Sequence, residues 1–159
     1  MDLTDWLIAL HVLAAFSLVA ALVLFSVVIA IGWGRDRPSE ILSLFRVSRV
    51  GDVLFAVGAI GTILFGVWLA IQMDEYGIFD GWVIAALVLW ALLMETGRRE
   101  GKLYARSRDR ARELSRSGAD VADAELQDLQ RSQPALLFHV ASCVLAFLLI
   151  LDMIWKPGA

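Results

Sequence analysis

The chain has 159 residues, is 59% hydrophobic and carries a formal net charge of −3, with a mean hydropathy of +0.71. That apolar share lies far above the soluble-domain norm and excludes an ordinary water-soluble fold, while the length allows one domain. Cys143 is the only cysteine, which excludes an intrachain disulfide and any CxxC redox or zinc motif.

A bilayer core of about 30 Å takes about 20 apolar residues per helix. Four runs of that kind are present, predicting helices over about 5–33, 52–73, 79–96 and 134–155. The expected fold is an all-α, four-helix transmembrane bundle, a single integral-membrane domain. The first run, Trp6 to Gly32, lacks a preceding basic region and a cleavage site, so it reads as a span and not a signal peptide. Neither end carries a lipidation motif.

Trp6 and Trp33 bracket helix one in the pattern of an interfacial aromatic belt. Ala14, Ser17 and Ala21 form a small-residue stripe along it, suited to close helix contact. In 34–51, Pro38 suits a first helical turn. Ile41, Leu42, Leu44, Phe45 and Val47 then interleave with Arg46, Ser48 and Arg49. This predicts a short amphipathic helix anchored at the inner interface, ahead of helix two.

Helix two is rich in glycine (Gly58, Gly61, Gly66), again permitting close approach, and Asp52 at its entry suits the helix dipole. A tight outer turn is expected over Tyr76–Gly81. Helix three carries Trp82 and Trp90. The good helix formers of 98–116 predict that it continues into the cytoplasm, turns near Ser117-Gly118 and returns through Val121, Leu126 and Leu129. The segment 97–133 is thus a cytoplasmic helical hairpin between helices three and four. Pro134 sits at the entry of helix four, and Trp155 and Lys156 anchor its far end.

Charge sets the expected orientation. Arg35, Arg37, Arg46 and Arg49 follow helix one, and Arg98 to Arg116 follow helix three. The N-terminus and the 74–80 connection (Asp74, Glu75, Asp80) have no basic residue. The positive-inside rule then puts both termini outside and the basic segments in the cytoplasm, in an inner (cytoplasmic) membrane. Topology and anionic headgroups account for the basic run, which has no aromatic interleaving beyond Tyr104, so nucleic acid is not an expected partner. Expected partners are the bilayer, anionic headgroups, and a docking protein on the hairpin or a second copy of the chain.

Four ionisable side chains fall within or at the edge of the spans: His11, Glu95, His139 and Asp152. Intramembrane ionisable groups are costly, normally pair, and default to functional hypotheses. At about 1.5 Å per residue, His11 and Asp152 share an outer level, about 12 Å from the midpoint. His139 and Glu95 lie about 8 and 11 Å on the inner side. The expected pairs are therefore His11 with Asp152 and Glu95 with His139. One haem held by both histidines would have to bridge about 20 Å along the membrane normal, which disfavours it. A haem or copper on His11 alone has room beside Ala14 and Ala15. Cys143 reads as a small core residue, and no nucleophile–base pair, phosphate loop or metal-spacing motif is present.

Leu10-His11-Val12-Leu13-Ala14, Arg46-Val47-Ser48-Arg49-Val50-Gly51 and Met153-Ile154-Trp155-Lys156-Pro157-Gly158 resemble a bacterial four-span membrane family. That family is labelled domain of unknown function twenty-two sixty-nine, and its layout covers nearly the whole chain. Its Trp-x-Gly-Gly step after the histidine is replaced here by Phe16-Ser17-Leu18-Val19-Ala20. The early Leu-His step is also similar to copper-resistance D-type membrane proteins and to haem-binding protoporphyrinogen oxidase, whose Tyr-Leu-Pro-Arg signature is absent. The expected function is a small multi-pass membrane protein without a catalytic site, a membrane or partner-binding component with no assigned cofactor. The alternatives are a b-type haem or copper redox protein using His11, and a proton-coupled transporter using both pairs. A transporter would need a polar path, for which Ser17, Ser26 and Thr62 are the available side chains.

Overall fold

The computed structural model describes residues 2–72, 77 and 79–156. Five helices follow in chain order: α1 (Leu3–Gly32), α2 (Pro38–Gln72), α3 (Gly81–Arg116), α4 (Ala124–Gln130) and α5 (Gln133–Trp155). There is no strand among the described residues. The four long helices are long and apolar enough to cross a membrane, making an all-α four-helix bundle. Tyr76 and Ile78 of the expected outer turn, Asp74 and Glu75 before it, and Pro157 and Gly158 lie outside the described residues.

α1 begins at a capping box in which Asp5 N–H donates to Asp2 at 2.9 Å and Asp2 N–H donates to Asp5 at 3.0 Å. α1 packs on α2, α2 on α3 and α3 on α5, while α1 and α5 meet only sparingly. The closeness of α1 to α2 has a steric cause. A Cβ built on Gly58 would lie 2.5 Å from the Leu18 backbone nitrogen, so only glycine lets the helices approach this far. Ser17 reinforces the seam by donating to the Leu54 carbonyl at 3.1 Å. Trp90 Nε1 donates to the Ala59 carbonyl at 3.2 Å and ties α3 to α2.

The interior favours small side chains and the surface large ones. Ala14, Ala21, Ala59, Ala86 and Ala146 are buried, while Leu13, Phe16, Val53, Leu137 and Phe147 are exposed. This inversion of the soluble pattern places the large apolar groups against lipid, where exposure costs nothing and close helix packing is what holds the bundle together.

α2 differs from expectation. In place of a short interfacial helix followed by a separate span, one helix runs from Pro38 to Gln72. The helix continues through Gly51 and Asp52, at the expected boundary, where Gly51 packs against Phe25 of α1. Its first turns also have a better partner than the interface. Ile41 (2% exposed) packs with Ala111, Ala122 and Leu126 in a second core, supported by Leu42, Phe45 and Leu114. α3 runs without a break through Gly97 to Arg116. At about 1.5 Å per residue α2 and α3 exceed 50 Å each, so roughly 20 Å of both projects beyond a hydrocarbon core at the same, basic end. The chain reverses at Gly118, whose φ of +79° suits glycine. α4 then closes the projection, and Ala122 N–H donates to the Asp36 carbonyl at 2.7 Å. Arg110 grips Asp123 (Nε to Oδ2, 3.1 Å) and holds its carboxyl below the usual carboxylate range. Asp123 also caps α4 by accepting from Leu126 N–H at 2.9 Å.

Candidate functional site

The bundle keeps one chain of buried polar groups, and His139 is its centre. His139 is 4% exposed. Its Nδ1 lies 2.9 Å from Glu100 Oε1 on α3 and its Nε2 lies 2.8 Å from Ser26 Oγ on α1. Glu100 is itself 7% exposed. One turn away along α5, Ser142 Oγ lies 2.8 Å from Thr96 Oγ1 on α3 and 2.9 Å from the Phe138 carbonyl. Thr96 and Glu100 are four residues apart, as are His139 and Cys143, so each helix presents its polar groups on one face. The Cys143 sulfur is 3.7 Å from His139 Nε2.

The protons in this chain can be counted. Ser26 has one hydroxyl hydrogen and two neighbours, the Leu22 carbonyl at 2.9 Å and His139 Nε2. With the hydrogen on Leu22, Nε2–H donates to Ser26, and the proton between Nδ1 and Glu100 belongs to that pair. With it turned to Nε2, Nδ1–H donates to the Glu100 carboxylate. The second order is that of a hydrolytic triad. Acyl transfer, however, needs free donors around a developing oxyanion. Ser26 sits inside α1, where backbone N–H groups are taken by helical bonds. What the arrangement supplies is a three-helix tie between α1, α3 and α5, with a carboxylate and an imidazole that can exchange a proton.

The inner pair therefore differs from the expected one. Glu95 does not meet His139. It is exposed and bound by Arg98 and Arg99, with contacts of 2.7 Å to each. Five residues turn a helix by about 140°, so Glu95 and Glu100 point to different sides of α3. Glu100 fell beyond the predicted span, in a segment dense with charge. Its signal was the seven-residue register Leu93, Glu100, Ser107, all three of which are buried.

The expected outer pair does not form either. The His11 ring packs on Gly66 of α2, where an added Cβ would stand 2.9 Å from Cε1, and its Nδ1 is buried without a hydrogen-bond partner. Asp152 Oδ2 is likewise buried and unpartnered, on α5. Equal height did not bring them together because α1 turns this face towards α2. The two imidazoles do not converge, and no group of three His, Cys, Asp or Glu side chains that could hold a metal occurs among the described residues. The hydroxyls expected to line a path between the two levels are already engaged: Ser17 with the Leu54 carbonyl across the α1–α2 seam, Ser26 with Leu22 and His139, and Thr62 with the Gly58 carbonyl.

Beside the polar chain lies a cavity of about 670 Å³ between α1, α2 and α3 at the basic end. Glu100 and Ser142 form part of its wall. Its deep end is apolar, with Leu22, Phe25, Ile29 and Phe55. Its other end mixes Ile41, Leu42, Leu44 and Phe45 with Arg46, Arg49, Arg108, Arg112 and Asp52. Asp52 lies within electrostatic reach of Arg108 and Arg49. Ser107, also in the wall, is 1% exposed, and its hydroxyl has no hydrogen-bond partner. His11 and Glu95 are not in the wall. Sequence reasoning missed Ser107 and the cavity, because both depend on how α2 and α3 diverge.

No protein family, curated protein or solved structure matches the chain.

Proposed function

We propose that this protein is a non-catalytic, multi-pass inner-membrane protein that holds a small ligand in the cavity between α1, α2 and α3. The His139–Glu100–Ser26 tie keeps the three helices closed beside the ligand. The basic end faces the cytoplasm and both termini face outward, as the distribution of Arg and Lys favours. In this reading the exposed basic residues meet anionic headgroups, and the chain belongs with the bacterial four-span family it resembles.

The observation that carries the proposal is the 670 Å³ cavity, whose size falls in the range of small-molecule sites and whose wall combines apolar side chains with four arginines. Gly101 provides the test. It lines the cavity, and a Cβ placed on it meets no atom within 4 Å. Gly101→Trp should fill the space with little strain on the fold. Native mass spectrometry of protein extracted in lipid nanodiscs should show a small-molecule adduct on the wild type that is absent from Gly101→Trp. An adduct on both proteins, or on neither, overturns the proposal.

A b-type haem or copper ion on His11 is the alternative, and the buried, unpartnered Nδ1 favours it. The surrounding residues supply a single imidazole, packed on Gly66, in place of a ligand set. A Soret band or stoichiometric copper, lost on His11→Ala, would establish it. Metal-free, colourless protein after reconstitution with haem or copper would remove it.

A further inference from the structure

The four arginines of the cavity wall lie towards one end of an otherwise largely apolar lining, and that placement names a ligand class. We infer that the site takes a single-chain amphiphile with a phosphate head, its chain among Phe25, Ile29 and Phe55 and its head at Arg108 and Arg112; this rests on the ligand-holding function proposed above. Four guanidinium groups line the wall against two carboxylates, Asp52 and Glu100, and Glu100 is already bonded to His139. Asp109 contacts one edge of Arg108 and of Arg112, at 3.3 and 3.5 Å, which leaves further N–H groups on both. A guanidinium fork matches a phosphate in two-point contact and is at home at phosphate sites.

The apolar end argues against a free anion. An inorganic phosphate would leave the Leu22, Phe25 and Phe55 walls uncovered, whereas an alkyl chain covers them and gains about 0.8 kcal/mol per buried methylene. Volume argues for one chain, since the cavity matches a single drug-sized molecule. The basic end of the bundle also lies where an amphiphile would enter from the adjoining leaflet, with its head at the level of the projecting helices.

The test uses the full chain in a neutral maltoside detergent and four probes: oleoyl lysophosphatidic acid, oleoyl lysophosphatidylcholine, oleate and inorganic phosphate. Calorimetric titration should show lysophosphatidic acid binding at least tenfold more tightly than the other three. Arg108→Gln with Arg112→Gln should lower that affinity tenfold or more and leave the phosphatidylcholine analogue unaffected. Arg112→Gln alone, a smaller change at a partly exposed side chain, should weaken lysophosphatidic acid several-fold without moving the melting temperature, which keeps the inference falsifiable if the double variant misfolds. Gly101→Trp should abolish binding of every amphiphile. Equal binding of the two lysolipids, or of oleate and lysophosphatidic acid, would overturn the head class while the cavity still holds a ligand. Inorganic phosphate binding as tightly as the lipid would overturn the amphiphile. No binding by any probe, or binding unaffected by Gly101→Trp, would overturn both this inference and the function beneath it.

Discussion

Breaking the tie at His139 gives a measurement with a distinctive sign. Glu100→Leu removes the 2.9 Å contact and leaves Nδ1 of a residue that is 4% exposed with nothing to bond. Orphaning a buried polar group costs about 1–3 kcal/mol, rising to about 3–5 if the pair is charged. His139→Leu orphans Glu100, but Glu100 borders the cavity and can be solvated there, so its cost should lie at the lower end of that range. Ser26 keeps its bond to Leu22 in either variant. The double variant replaces both groups with apolar ones and should recover about 1–3 kcal/mol relative to the sum of the singles. Reversible unfolding in mixed micelles of increasing denaturing detergent would give all four corners of the cycle. A double variant that loses the full sum would show that the two side chains do not interact, and the tie would be refuted. Glu95→Leu serves as control, since its carboxylate is exposed with Arg98 and Arg99, and the midpoint should barely move.

Other outcomes follow from the same packing. Gly58→Ala puts a methyl 2.5 Å from Leu18 nitrogen; overpacking of about 1–3 kcal/mol exceeds a helix-propensity gain of at most about 1, so its unfolding midpoint should fall. Gly101→Ala meets nothing within 4 Å and should raise the midpoint by up to about 1 kcal/mol. If the two alanines behave alike, close α1–α2 contact is not what Gly58 provides. Trp90→Phe loses the bond to the Ala59 carbonyl and should cost about 1 kcal/mol in the same unfolding assay. Asp123, held below its unfolded pKa by Arg110, stabilises α4 above the ordinary carboxylate range, and that support is lost as pH falls through about 4 and below. Hydrogen exchange over 119–131, corrected for the intrinsic rate, should show α4 loosening on acidification in the wild type. Asp123→Asn should be loose at neutral pH and change little, and equal pH dependence in both proteins would refute the role of Asp123.

Composition and run length alone determined the fold class, because a span is a property of consecutive residues: about 20 apolar side chains cross a bilayer wherever they occur. The glycines of α2 and the small residues of α1 marked the helix faces that pack closely, since a missing side chain shows in the sequence as directly as in space. Partner choice was decided only by the tertiary structure. Heights along a helix follow from residue number, but the direction a side chain points relative to other helices does not. His11 and Asp152 share a level and do not bond; Glu95 faces solvent with its arginines, and Glu100, seven residues past the buried Leu93, reaches His139. The cavity depended on the structure for the same reason, because its wall takes residues from all five helices and its volume depends on their separation.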